Sequence, residues 1–348
     1  MEGVQLKKIK LGVIFGGMST ENEVSVKSAK SIMDNLDIKK YDTFPIYIDK
    51  KGDWYKYKGS LDDIEKISNI FEYLKQLDIV FPVLHGLYGE DGTIQGMFEL
   101  LKIPYVGCGV LASSIGMDKV YTKIIFEKAG LMQTKYEYIK KENNRYIYVN
   151  KKFEEEKQSL EKIVDKICKN LVFPMFVKPS NSGSSVGINK VKTKEELGKA
   201  IEYAGQFDNK ILIEEGIIGK EVECAVLGNE EVIASCVGEI KSAEEFYSYD
   251  AKYNNSESKT NIPADIPEDI AMNIRKQSII AFKAINGKGL SRVDFFVESG
   301  TNKIIISEIN TLPGFTNISM YPKLFEGTGI KYSELLDKLI ELAVTTRR

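Results

Sequence analysis

The stretch SRVDFFVESGTNKIIISEIN, residues 291–310, sets Arg292 and Asp294 two positions apart and spaces Glu308 and Asn310 in the same way. On a β-strand that spacing puts each pair on one face, and the polar turn between two apolar runs predicts a hairpin that brings the pairs together. Asp294, Glu308 and Asn310 then offer three hard oxygen donors. Such donors suit Mg²⁺, which takes few protein oxygens and completes its octahedron with water and substrate phosphates, so a nucleotide is implied. A second stretch, GVIFGGMSTENEVS, runs from an apolar strand through two glycines toward a helix, as a phosphate-binding turn would. It carries Glu21 and Glu23 where the phosphate would sit.

Two further segments bear on that nucleotide. In FVKPSNSGSSVG, Lys178 leaves a strand and Gly183, Ser184, Ser185 and Gly187 form a turn. This is not the GxxxxGK[ST] pattern, although glycines let backbone N–H groups approach phosphate oxygens and a lysine adds a point charge. The same composition also fits a surface loop. Lys119, in MDKVYTK, offers a second cation. In ILIEEGIIGKEVECAV a strand ends at Glu214 and Glu215 and resumes at Glu221 and Glu223, carboxylates able to receive an adenine amino group and ribose hydroxyls. The sole histidine, His85, lies in LHGLYGEDG.

These residues need a scaffold, and 348 residues allow two or three domains. LGVIFGG, YDTFPIYID and DIVFPVLHG read as strands, EVSVKSAKSIMDNL and GTIQGMFELLKI as helices, an alternation that predicts a parallel α/β layer. The character shifts near residue 120. After a helix around MDKVYTKIIFEKAG, KKFEEEKQSLEKIVDKICKN reads as a charged amphipathic helix, and FPMFVKPS and KILIEEGI as strands. AVLGNEEVIASCVGEI reads as a hairpin and EDIAMNIRKQSIIAFKAI as a helix, and the polar stretch SAEEFYSYDAKYNNSESKTN exceeds ordinary loop length, which makes it a candidate lid.

A net charge of −2 gives no global positive field for nucleic acid or an anionic membrane. No run of about 18 apolar residues supports a membrane span, and the apolar N-terminal run is too short for a secretory core. A cytosolic protein is expected. Its four cysteines lack metal-site spacing and read as reduced thiols.

Taken in order, FGGMSTENEVS, FPVLHGLYGEDGTIQG, MDK, VKPSNSGSSVG, IEEGIIGKEVE, YDAKY, SRVDFF and EINTLPGFT resemble the ATP-grasp D-alanine:D-alanine ligases over nearly the whole chain. The resemblance implies a mixed α/β, three-domain ATP-grasp fold with a Rossmann-like N-terminal domain, divided here at 1–120, 121–225 and 226–348. It implies ATP, two D-alanines, two Mg²⁺ ions that Mn²⁺ can replace, a cytoplasmic homodimer, and a product used for peptidoglycan.

Carried over residue by residue, it gives Lys119, Lys178, Ser184 and Ser185 to the ATP phosphates, Glu214 and Glu215 to the adenine and Glu221 to the ribose. Asp294, Glu308 and Asn310 hold the metals. Arg292 and the Gly314 N–H steady an oxyanion. Ser319 and its neighbour Met320 face the second substrate, and Lys252 and Tyr253 belong to the lid, with Tyr253 joining Ser184 and Glu21. Glu21 then meets the ammonium group of the first D-alanine, which explains a carboxylate in that turn, and His85 lies beside the same substrate. Thr20 and Glu23 fit a capping box, a structural role for Glu23. The sequence departs from the family around Ser319, reading TNISMYP. A D-alanine:D-serine ligase is therefore an alternative, whereas Tyr253 argues against the D-lactate-forming relatives. A nucleotide-binding ATP-grasp protein without ligase activity is the alternative from another class. A dinucleotide dehydrogenase fits less well, because FGGMST lacks GxGxxG.

Overall fold

The structure, a computed structural model, describes residues 7–143, 145–241 and 259–345. The first sheet contains β1 (Ile9–Gly16), β2 (Tyr41–Ile48), β3 (Trp54–Tyr57), β4 (Ile64–Lys66) and β5 (Ile79–Val83), in the order β4-β3-β2-β1-β5. The β1–β2 and β1–β5 pairs are parallel, and β3 and β4 extend the sheet antiparallel. Side-chain alternation explains why two layers of helix are needed: Leu11, Val13 and Phe15 of β1 pack into one core with Ala29 and Ile32 of helix α1 (Asn22–Asn35), while Ile14 packs into another. The second core also contains Leu74 of helix α2 (Ile70–Leu74) and Phe98 of helix α3 (Thr93–Leu101).

Helices α4 (Val110–Met117) and α5 (Lys119–Lys128) lead to a six-stranded antiparallel sheet, ordered β10-β9-β11-β6-β7-β8. Its strands are β6 (Tyr136–Glu142), β7 (Arg145–Val149), β8 (Glu155–Lys157), β9 (Met175–Pro179), β10 (Asn189–Val191) and β11 (Lys210–Glu215). Helices α6 (Leu160–Asn170) and α7 (Lys194–Ala204) cover one face, and Val120 of α5 packs with Tyr138, Val149 and Leu212 on the other. The amphipathic helix expected over 151–170 is shorter than its sequence pattern. Asn150 Oδ1 accepts the Lys152 and Glu154 N–H groups in a turn, Glu155–Lys157 joins β7, and the helix begins only at Leu160.

The third sheet, ordered β14-β13-β12-β15-β16, comprises β12 (Gly219–Gly228), β13 (Val232–Lys241), β14 (Lys259–Asn261), β15 (Gly289–Glu298) and β16 (Ile304–Asn310). The boundary read at 225 and 226 falls inside β12, and the change of sheet comes between β11 and β12. Phe282 of helix α8 (Glu268–Ala284) packs on one face. Tyr321, Leu324 and Phe325 of α9 (Met320–Gly327) and Leu335 of α10 (Tyr332–Thr345) pack on the other and continue into the first domain's core. Phe81 of β5 meets Phe315 edge-on at 5.8 Å between ring centroids. Each such buried ring contributes ~1.5–3 kcal/mol, so the loop after β16 is held firmly against the first domain. No helix among the described residues is long and apolar enough to cross a membrane.

Candidate active site

A cleft of about 590 Å³ opens where the three sheets converge. At one end of it, the turn before α5 is fastened to the second sheet. Asp118 caps the helix by accepting the Val120 and Tyr121 N–H groups at 3.1 Å, and also accepts the Ser180 hydroxyl at 2.7 Å and pairs with Lys210. This brings Lys119 over the glycine-serine turn, where its Nζ donates to the Ser182 carbonyl at 2.6 Å.

On adjacent strands, Lys178 of β9 pairs with Glu214 of β11, and Lys123, one turn after Lys119 on α5, pairs with the same carboxylate at 2.8 Å. Thr134 donates to it at 3.2 Å. Burial alone would raise the Glu214 pKa, but the two lysines outweigh it and hold the carboxyl well below the usual range. Burial likewise works against the Lys178 ammonium, and Glu214 more than offsets it. Glu215 accepts the Val172 N–H at 2.9 Å while lining the cleft, and Glu221 lines it from β12.

The β15–β16 hairpin forms with Arg292 opposite Asn310 and Asp294 opposite Glu308. The Arg292 guanidinium donates to both Asp294 oxygens at 2.7 Å and lies 3.1 Å from Glu223, which β12 places in register with Asp294. Asn310 Nδ2 donates to Asp294 at 3.0 Å. Desolvation opposes the guanidinium charge, yet Asp294 and Glu223 raise its pKa well above the ordinary value. Asp294, Glu308 and Asn310 all face the cleft.

Beside the same glycine-serine turn, α1 begins at Asn22 and Glu21 sits at its cap position without a side-chain cap. The expected Thr20–Glu23 capping box is not formed. The Glu21 carboxylate turns instead to accept the Ser184 hydroxyl, and Glu23 is exposed, 3.9 Å from Lys50. Ser184 and Ser185 reach this position with φ of 49° and 60°, left-handed backbone that side chains seldom adopt. Two glycines let the loops close on Glu21: a Cβ on Gly86, at φ +77°, would lie 2.7 Å from Glu21 Oε2, and one on Gly183 3.0 Å.

The buried His85 ring places Nδ1 3.2 Å from the Leu312 carbonyl and Nε2 3.1 Å from Ser28 Oγ. A carbonyl only accepts, so Nδ1 carries the proton and Nε2 accepts from Ser28. Burial lowers the ring's pKa, against the pull of Glu21. Both nitrogens are thus engaged with protein, and His85 positions the 312–315 loop from the cleft wall. Glu90 Oε1 accepts the Gly86 N–H at 2.9 Å, and burial followed by the nearby Glu21 charge pushes its pKa up to about 8.

Gly314, Ile318, Ser319 and Met320 complete the wall. Ser319 Oγ accepts the Thr316 N–H at 2.9 Å and leads α9. Met320 belongs mainly to the core, packed with Tyr321 and Leu324, whereas Ile318 is 65% exposed. Lys252 and Tyr253 lie outside the described residues. Lys123 and Glu90 are additional, and Lys123 carried a signal in its four-residue spacing from Lys119. Glu223, read in the sequence with Glu221 as a carboxylate for adenine or ribose, pairs with Arg292 at 3.1 Å. Burial pushes the Cys108 thiol up to about 12 and Cys224 to about 11, so neither supplies a reactive thiolate.

Two family models match this chain: the N-terminus of D-ala D-ala ligases over residues 10–108 and their C-terminus over 125–341. A D-alanine–D-alanine ligase of Acetivibrio thermocellus is 49% identical, over 97% of this chain and 96% of its own. Among solved structures, the VanG D-Ala:D-Ser ligase of Enterococcus faecalis matches with a TM-score of 0.84 at 38% identity, covering 97% of this chain and all (100%) of that one. A D-alanine–D-alanine ligase of Bacillus anthracis complexed with ATP matches with a TM-score of 0.75 at 30% identity, covering 97% and 98%. With two models spanning most of its length and a relative at nearly half identity, the chain belongs to the D-alanine:D-alanine ligase family.

Proposed function

We propose that this protein joins two D-alanines to D-alanyl-D-alanine, a peptidoglycan precursor, at the expense of ATP, working in the cytoplasm as a homodimer. The observation that carries the reading is the polarity of one cleft: Lys119, Lys178 and Arg292 line the part suited to phosphates, and the Glu21 carboxylate the part suited to an ammonium group. The first D-alanine's carboxylate oxygen attacks the γ-phosphorus of ATP. The bond to the β,γ-bridging oxygen breaks, ADP leaves and an acyl phosphate remains. The second D-alanine's amine then attacks the acyl carbon, loses a proton and expels phosphate.

Both steps need positioning and charge stabilisation above all. Glu21 orients the first ammonium group and Ser184 orients Glu21. Lys119 and Lys178 hold phosphate oxygens, with Ser185 in the same turn, and Glu214, Glu215 and Glu221 border the adenosine. Arg292 and the Gly314 N–H face the tetrahedral oxyanion, and Ser319 the second carboxylate, beside Ile318 and Met320. The donor set Asp294, Glu308 and Asn310 is all hard oxygen on adjacent strands, which fits Mg²⁺, two ions in the family pattern. Mg²⁺ would supply charge neutralisation for the phosphates.

The test is phosphate release from ATP with D-alanine alone, then with D-serine added, resolving products by mass. D-Ala-D-Ala as the main product is expected. A mixed product dominating with D-serine would make this a D-alanine:D-serine ligase and point to Ile318, because an apolar pocket rejects an added hydroxyl by only about 100-fold. No amino-acid-dependent release would leave a nucleotide-binding protein without ligase activity.

A further inference from the structure

We propose that Lys123 is the standing counter-ion of Glu214, and that it frees Lys178 to move from Glu214 onto a nucleotide phosphate. The inference rests on the nucleotide reading above. Glu214 lies between two ammonium groups of different character. The Lys123 side chain is 3% exposed, and its surroundings are complete: Glu214 at 2.8 Å, Thr134 Oγ1 at 3.3 Å and the Tyr136 ring at 5.3 Å from the centroid. Lys178 is 17% exposed and lines the cleft. Of the two, only Lys178 can turn toward a phosphate without leaving a buried cavity behind.

That turn removes a cation from a carboxylate that is itself 9% exposed. An uncompensated buried charge is strongly disfavoured. Lys123 remains in contact with the other carboxylate oxygen, and Thr134 continues to donate to it, so Glu214 keeps a partner when Lys178 departs. The helix carries both functions. Lys119 at the first position of α5 reaches the glycine-serine turn, and Lys123 one turn later reaches β11. Lys123 is therefore a positioning residue that acts through Glu214 and does not touch the nucleotide.

Titration calorimetry of the full chain with Mg²⁺ and either ATP or adenosine tests this. Lys123→Met should weaken ATP roughly tenfold or more, about 1.4 kcal/mol, and leave adenosine within about threefold, because adenosine draws no lysine away. Adding Glu214→Gln should cancel the defect: Lys123→Met/Glu214→Gln should bind ATP as Glu214→Gln does, since no buried charge then needs a counter-ion. Equal loss for both ligands, no loss for ATP, or a double variant weaker than Glu214→Gln would overturn the inference. If Lys123→Met does not fold, the comparison of Glu214→Gln with the double variant decides alone. An unmodified chain that fails to bind ATP would instead sink the nucleotide reading itself.

Discussion

In one part of the cleft Glu214 sits between Lys123 and Lys178 and is held well below the usual carboxylate range, while in another Glu90 lies near Glu21 and is pushed up to about 8. Burial raises both carboxyls, so burial does not distinguish them. The sign of the nearest charges does. The cleft is thus polarised before any ligand enters, with Lys119 and Lys178 where phosphates are proposed to lie and the Glu21 carboxylate where an ammonium group is proposed to lie. Arg292, fixed by Asp294 and Glu223, faces the proposed reaction centre.

The strongest way to break that division is at Arg292. Arg292→Met should lower kcat by roughly 10²–10³, as loss of a preorganised oxyanion donor does. It should also cost about 3–5 kcal/mol of stability by leaving Asp294 and Glu223 buried without their cation. Steady-state kinetics and denaturant unfolding read the two effects separately, and an unchanged kcat would remove Arg292 from the chemistry.

A smaller effect comes from the carboxylate side. Because the folded pKa of Glu90 lies above its unfolded value, its contribution to stability is complete at acid pH and is lost as pH rises through about 8. Melting temperature should fall across that window, and Glu90→Gln, which keeps an acceptor for the Gly86 N–H, should flatten the fall. An identical profile in the variant would contradict the assignment. Smallest of all, Glu23→Ala should change stability by less than ~0.5 kcal/mol, because Glu23 caps nothing and its contact with Lys50 is long and exposed. A loss near 1 kcal/mol would restore the capping box in solution.

The difference between these regions also explains what the sequence could disclose. Arg292, Asp294, Glu308 and Asn310 were legible because their spacing equals the strand period and a single hairpin aligns them. Local spacing also marked the N-terminal sheet's parallel core. Thr20 and Glu23 show the opposite case: a local pattern fits a capping box, yet Glu21 is drawn to Ser184, 163 residues away. The Lys123–Glu214 pair likewise depends on a helix crossing a sheet, a contact that no window of sequence contains. Glu155–Lys157 continues a helical charge pattern but is taken by an edge strand, since β7 offers an unpaired side and the Asn150 turn directs the chain there.

One measurement tests the polarised cleft most directly: KM for ATP and KM for D-alanine, each determined in Lys178→Met and in Glu21→Gln. A polarised cleft predicts a crossed result, with Lys178→Met raising the KM for ATP and Glu21→Gln raising that for the first D-alanine. Each shift should be roughly 10–100-fold, the scale of a lost charge-assisted hydrogen bond, with the other ligand within about threefold. Both constants moving together in both variants would contradict it.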